Sequence, residues 1–248
     1  MIRKNVKGLC ALAAAVAVAL ASTATFADSV TYGFSRFTAN GTENPASQIT
    51  LQVNNFDFDS GDPLGSGFVS FVFQNFQNGG TLASSITSVH FEDGTLLGID
   101  ALNQSSGVDF EFPGSHGSFN VPSGESLSPS FATTSGYRAS ADSPVKPNGV
   151  DNPGEWLEVI FELIDGFEYS DVLAAISNGF AKSAGSGFDP DAPSLRVAMH
   201  VQGIGTAGDS ESLILTIPLP TPLGLGLAGL AGVVIISRRK RKAAVSIN

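Results

Sequence analysis

The sequence predicts an all-β fold, an antiparallel β-sandwich of jelly-roll type with one short helix, flanked by an N-terminal signal helix and a C-terminal transmembrane helix. Apolar and polar residues alternate in short runs, which is the pattern of half-buried strands. The chain has 28 Gly, 13 Pro and only two Met, a composition that argues against a helical bundle. Hydrophobic residues make up 42% of the chain, which is enough for a packed core.

The predicted strands follow one another along the chain with turns between them. In order they lie near residues 30–34, 49–53, 67–76, 85–92, 95–99, 108–112, 157–163, 195–201 and 213–217. Asp93-Gly94 is a strong turn signal, and it predicts a hairpin between the fourth and fifth of these strands. Residues 113–152 are rich in Ser, Gly and Pro, and they predict a long surface excursion.

One helix is predicted near residues 170–179. Ser170 is a suitable N-cap, and Asn178-Gly179 is a suitable end. Its apolar face has i, i+1, i+4 spacing and consists of Val172, Leu173 and Ile176.

The charge of the chain is unevenly distributed. The net charge is −10, but five basic and 23 acidic residues lie between positions 28 and 217, so this middle part carries −18. A body this acidic repels phosphate backbones, and we therefore expect no nucleic-acid binding. It is typical of a soluble exported protein, which is the favoured interpretation, or of one that meets cations or neutral polymers.

Residues 1–27 have the pattern of a secretory signal peptide. A short apolar stretch at residues 9–20 is followed by small residues, which predicts cleavage after Ala27 and a mature N-terminus at Asp28. Cys10 also suggests a lipoprotein signal, but only nine residues precede it, so a cysteine without function is favoured. The positive residues ahead of the stretch are Arg3, Lys4 and Lys7.

The C-terminal segment, residues 218–248, has three parts. Pro218-Leu219-Pro220 opens a proline-rich spacer that continues neither a strand nor a helix. Residues 223–236 carry no charge and span about 21 Å as a helix, against about 30 Å of bilayer hydrocarbon. The basic cluster that stops transfer consists of Arg238, Arg239, Lys240, Arg241 and Lys242. The segment predicts one membrane pass with the N-terminus outside, as a plain anchor or as a sorting tail.

Together these three parts resemble the PEP-CTERM class of bacterial sorting signals, in its Pro-Leu-Pro variant. The resemblance implies handling by an exosortase-type transpeptidase in a Gram-negative bacterium that makes exopolysaccharide. Leu219 stands where the better-known motif has an acidic residue. Three segments of the body, residues 91–99, 140–155 and 199–205, also look like a set of exported proteins with such tails and no assigned activity.

Candidate catalytic and metal-binding residues are few. His90, His116 and His200 are not at ligand spacing, and the run Gly114-Ser115-His116 lacks the strand–elbow–helix context of a serine nucleophile. With Cys10 as the only cysteine, disulfides and cysteine-based zinc sites are excluded.

Two groups of acidic residues remain to be considered. Glu158 and Glu162 share one strand face, but they are about 13 Å apart along the strand, too far for a glycosidase pair. We interpret them as a solvated face. The weak calcium candidates are Asp57, Asp59 and Asp62, with Asp189 and Asp191 weaker still; the alternative is turn formation by these aspartates.

The sequence therefore predicts a signal peptide (residues 1–27), an extracytoplasmic β-sandwich (residues 28–217) and a sorting signal (residues 218–248). We expect a secreted or cell-surface, non-enzymatic structural protein that associates with the exopolysaccharide matrix. Its expected partners are an exosortase-type enzyme, the inner membrane and exopolysaccharide, and no cofactor is expected. The alternatives are a carbohydrate- or calcium-binding module and a hydrolase.

Overall fold

The protein forms ten β-strands and one α-helix within the residues that the structure describes. The structure is a computed structural model, and it describes residues 28–77, 82–113 and 119–218. The elements are β1 (Ser29–Arg36), β2 (Ile49–Asn54), β3 (Phe68–Asn75), β4 (Ser85–Glu92), β5 (Leu96–Gln104), β6 (Phe110–Glu111), β7 (Arg138–Ala141), β8 (Trp156–Leu163), α1 (Tyr169–Ala184), β9 (Arg196–Ile204) and β10 (Asp209–Pro218).

All ten strands belong to one sheet in the order β5-β8-β3-β2-β1-β10-β9-β4-β7-β6. Every neighbouring pair is antiparallel, so the predicted antiparallel β class is confirmed. The sequence predicts a jelly-roll sandwich, and the structure has a single sheet that bends until its two halves face each other across one core.

The bend is visible in contacts between strands that are far apart in the sheet order. Phe91 of β4 and Phe161 of β8 lie six places apart in that order, yet their ring centroids are 4.7 Å apart. The two edge strands also approach each other, since the backbone N–H of Phe110 in β6 donates to the side-chain oxygen of Gln104 in β5 at 2.8 Å. The sheet is therefore close to a barrel.

The core is built from the inward positions of the alternating strands. In β2, for example, Ile49, Leu51 and Val53 are all buried. Burying such a side chain stabilises the fold by about 1.5–3 kcal/mol relative to leaving it exposed. Aromatic rings from β3, β4 and β8 meet edge-to-face at the centre of the core, where Phe71 lies 5.1 Å from Phe91 and 5.6 Å from Phe161.

The predicted hairpin at Asp93-Gly94 is wrong. β4 pairs with β7 and β9, and β5 pairs with β8, so the turn carries the chain from one half of the sheet to the other. The glycine is needed for another reason, because a Cβ at position 94 would collide with the backbone of Ser194. Asp93 closes the turn by accepting the N–H of Leu96 at 2.9 Å.

The predicted surface excursion at residues 113–152 is only partly correct. It contains β7, and it buries Val121, Phe131 and Val150. Val121 and Phe131 pack against Ala198 and Ile214 in a second, smaller core. This segment therefore covers one outer face of the sheet rather than running over the surface.

Glu92 holds part of that segment in place. Its carboxylate accepts hydrogen bonds from Lys182 Nζ at 2.6 Å, from Arg196 Nε at 3.1 Å and from the N–H of Ala132 at 2.9 Å. Arg196 also donates to the carbonyl oxygen of Pro129 at 2.9 Å. Burial alone would raise the pKa of Glu92, but the bonds from Arg196 and Lys182 outweigh burial and lower it.

The helix is longer than predicted. Its N-cap is Glu168, in a capping box with Asp171, and it runs through Gly179 to end at Gly185 in the left-handed conformation. Gly179 does not end the helix; it lets the helix pack closely on the sheet, because a Cβ there would collide with the carbonyl oxygen of Leu195.

We expect Gly179→Ala to destabilise the protein by about 1–3 kcal/mol, since the added methyl group would force α1 away from the strand beneath it. Alanine at an open helical position normally stabilises by about 0.5–1 kcal/mol, so the sign of the change identifies the close contact. Urea denaturation measures it, with Gly98→Ala as the control because a Cβ at position 98 meets nothing within 4 Å. A Gly179→Ala variant as stable as the parent would contradict this packing.

Candidate functional site

A groove lies at the end of the sheet where β8 leads into α1. It consists of two adjoining clefts of about 520 and 350 Å³ that share Ser66, Phe68 and Glu168, and we call it the end groove. It is lined by Asn55, Pro63, Leu64, Gly65, Ser66, Gly67, Phe68, Leu97, Glu162, Leu163, Ile164, Asp165, Gly166, Phe167, Glu168, Tyr169 and Ser170.

Backbone hydrogen bonds hold the walls of the end groove. The N–H of Leu163 donates to the carbonyl oxygen of Gly67 at 2.7 Å, and the N–H of Ile164 donates to that of Thr95 at 3.1 Å. The chain then turns at Gly166, whose φ of +84° favours glycine, before α1 begins. The groove is therefore a product of short, well-held connections.

The end groove combines apolar walls with carboxylates. Leu97 is 55% exposed and Ile164 is 38% exposed. Glu162 and Asp165 are exposed, and no Lys or Arg is among the lining residues of these clefts. Such a surface suits a ligand with both apolar and positively charged parts.

Two pairs of adjacent apolar residues in the sequence mark this groove, although strand alternation alone does not reveal it. In the pairs Leu96-Leu97 and Leu163-Ile164 the first residue is buried and the second is exposed. The second apolar residue of each pair breaks the alternation, and it exposes an apolar side chain along the end groove. From sequence, Glu162 is expected on a solvated strand face, too far from Glu158 for a glycosidase pair, and its pattern predicts no groove.

The sequence predicts that Glu158 and Glu162 lie on a solvated face of β8. Glu162 is indeed exposed, but the prediction is wrong for Glu158. The loop of residues 55–67 folds back over this face and buries Glu158 completely. The carboxylate of Glu158 accepts hydrogen bonds from the N–H of Phe58 at 2.7 Å, from Asn103 Nδ2 at 2.9 Å and from the hydroxyl of Ser70. Glu158 therefore fastens this loop to the sheet, and the loop forms one wall of the end groove.

The calcium candidates lie in this same loop. Asp57 accepts the N–H of Ser60 at 2.8 Å and Asn103 Nδ2 at 3.0 Å, while Asp59 and Asp62 are exposed. Among the described residues, no three His, Cys, Asp or Glu side chains are grouped as metal ligands. Asp57 thus forms a turn. In the weaker pair, Asp189 Oδ1 accepts the N–H of Asp191 at 3.0 Å.

The two described histidines lie on β4 and β9, as predicted, and away from the end groove. His90 is fully buried between the hydroxyls of Ser88 and Thr133, at 2.9 and 3.1 Å. Burial, with the charge of Arg138, lowers the pKa of His90 to about 3. Burial also lowers the pKa of His200. His116 lies outside the described residues.

Of the predicted processing residues, the structure describes only Asp28 and Pro218, at the two ends of the body. The N–H of Asp28 donates to Asn55 Oδ1 at 2.7 Å, and β10 ends at Pro218, opposite Tyr32 of β1. The described part of the chain contains no helix with the length and hydropathy to cross a bilayer. The remaining predicted processing and membrane residues lie outside the described residues, namely Ala27, Leu219, Pro220, Arg238, Arg239, Lys240, Arg241 and Lys242.

Asp151 and Glu155 form a carboxylate pair in the turn between β7 and β8. Asn152 Nδ2 donates to both, at 2.8 and 2.9 Å. Burial, followed by the charge of Glu155 and a hydrogen bond with it, raises the pKa of Asp151 to about 6. The ionised pair therefore weakens the fold above that pH.

We expect Asp151→Asn to raise the melting temperature at pH 8 and to leave it nearly unchanged at pH 4. Asp151 has a higher pKa in the folded chain than in the unfolded one, so its contribution is favourable at low pH and is lost as pH rises through about 6. Thermal unfolding followed by circular dichroism at both pH values measures the difference. If Asp151→Asn changed the melting temperature equally at pH 4 and pH 8, charge repulsion would not be the cause of the change.

We expect Glu158→Gln to destabilise the protein by about 1–3 kcal/mol, because all three partners of the carboxylate donate and an amide nitrogen cannot accept. Glu162→Gln on the same strand face is the matched control, and its effect should stay within about 0.5 kcal/mol. Urea denaturation compares the two variants, and equal free energies of unfolding would rule out the fastening role of Glu158.

Comparisons with protein-family models, with curated proteins and with solved structures find no match to this chain. Its function is therefore inferred from its own residues and geometry.

Proposed function

We propose that this chain is an exported bacterial protein of the cell surface or the exopolysaccharide matrix, with a structural, non-enzymatic role. In this proposal the signal peptide of residues 1–27 exports it, and the C-terminal segment sorts or anchors it. The proposal rests on one composite feature, which is the succession of Pro218-Leu219-Pro220, the uncharged residues 223–236 and the basic cluster within the last 31 residues.

The end of the sheet supports this division of the chain. β10 ends at Pro218, the first residue of the Pro-Leu-Pro motif. A processing enzyme that acts at this motif would therefore cut at the boundary of the folded body and leave the hydrogen-bonded core of the sheet intact. In the proposal that enzyme is an exosortase-type transpeptidase, and the inner membrane holds the chain until the enzyme acts.

The roles of the buried ionisable groups support a structural rather than a catalytic function. Glu92 and Glu158 each hold a loop against the outer face of the sheet through hydrogen bonds from described residues. His90 is neutral and enclosed between two hydroxyls. Glu92, Glu158 and His90 are thus engaged in holding the fold together, and the acidic surface keeps the body soluble outside the cell.

Mass spectrometry of both termini, on protein recovered from the producing cells, tests this proposal. We expect the mature chain to begin at Asp28 and to end near Pro218-Leu219-Pro220. Replacing Pro218 and Pro220 together by alanine should leave the tail attached, because the recognised motif is lost. Pro222→Ala is the matched control, and it should be processed normally.

Two results would contradict the proposal. A parent chain that keeps its tail through Asn248 in the membrane would make the segment a plain anchor. An unprocessed chain dissolved in the cytosol would overturn export itself.

A further inference from the structure

We propose that the end groove binds an extended segment of a partner protein in which lysine or arginine alternates with aliphatic residues. This inference goes beyond the proposed function, which concerns how the protein is delivered and held. It rests on three features of the groove, namely its charge, its apolar walls and its position beside a sheet edge.

The first feature is an uncompensated negative charge. Glu162 and Asp165 line the groove, and neither makes an ion pair within the described part of the chain. No Lys or Arg lines the groove, and Lys182 and Arg196 both pair with Glu92. A positively charged ligand would supply the counter-charge that the groove lacks, and opposite charges also speed its approach.

The second feature is the aliphatic character of the exposed wall. Leu97 and Ile164 come from different loops and strands, and both line the same cleft with much of their surface in contact with solvent. Apolar surface grouped in this way beside charged residues is typical of a docking site. The exposed side chains of this wall are branched aliphatics, which pack well against other aliphatic side chains, whereas a sugar ring stacks best on an exposed aromatic face; this favours a peptide.

The third feature is the strand edge next to this wall. Leu97 lies in β5, which has β8 as a neighbour on one side and ends the strand order of the described sheet on the other. An extended peptide can pair with such an edge through its main chain. The hydroxyl of Tyr137 already donates to the carbonyl oxygens of Leu96 and Leu97. The β5–β8 register is also interrupted between Leu96 and Gly98, so any main-chain pairing is short and side-chain contacts carry much of the binding.

These features explain why the ligand should have an alternating sequence. Successive side chains of an extended peptide point to opposite sides. One set then meets the wall of Leu97 and Ile164 while the other reaches the carboxylates of Glu162 and Asp165. The clefts, of about 520 and 350 Å³, hold only a few side chains, so we expect a dissociation constant in the range of about 1–100 µM that weakens with added salt.

The probe is a fluorescein-labelled peptide of alternating lysine and leucine, with a glutamate–leucine peptide of the same length for comparison. Fluorescence anisotropy is measured with the full-length chain in an uncharged detergent, so that every variant carries the same tail. The parent should bind the lysine–leucine peptide saturably and the glutamate–leucine peptide at least tenfold more weakly. The assay does not depend on processing of either terminus.

Two variants locate the binding site. A Cβ at Gly67 meets nothing within 4 Å, so Gly67→Phe should fill the groove without disturbing the fold and should weaken binding at least tenfold. The double variant Glu162→Gln with Asp165→Asn should weaken binding about fivefold. Glu125→Gln removes an exposed charge outside the groove, and it should change the affinity less than twofold. Far-UV circular dichroism confirms that each variant is folded.

Three results would overturn the inference. The first is no binding of the lysine–leucine peptide below about 1 mM. The second is equal binding to the parent and to the folded Gly67→Phe variant, which would mean general charge attraction. The third is Gly67-dependent binding of a neutral polysaccharide such as dextran without binding of the peptide, which would make the groove a carbohydrate site.

Discussion

The structure depends on a single sheet bending far enough for its two halves to share one core. Phe91 from one half meets Phe71 and Phe161 from the other, and edge-to-face contacts among these rings fix the distance between the halves. Each ring buries a large apolar area, and the stacking geometry adds about 0.5–1.5 kcal/mol per pair. That contact brings the two halves of the sheet together over one core.

The outer faces of the sheet are covered by loops that carboxylates hold in place. Glu92 binds the segment near Ala132, Glu158 binds the loop near Phe58, and Glu211 binds the loop near Gly41. Each carboxylate lies at an outer or terminal position of a strand and accepts several hydrogen bonds, so its burial is compensated. The same acidic residues that give the chain its negative charge therefore also organise its loops.

The end groove follows from this arrangement. One of its walls belongs to the loop that Glu158 fastens, and the other is the short connection between β8 and α1. Hydrogen bonds hold both walls, while the side chains that face the opening, such as Leu97 and Asp165, make no contribution to the core. The described part of the chain thus carries an acidic and partly apolar groove at one end of its sheet.

The sequence by itself determined the β class, most strand positions and the existence of the helix, because alternation and turn residues are local properties. Only the tertiary structure decided which strands pair, since the turn at Asp93-Gly94 looks the same whether it joins neighbours or crosses the core. It also decided that Gly179 lies inside the helix and that Glu158 is buried. Burial and close approach depend on a loop or strand distant in the sequence, and no local pattern records that distant partner.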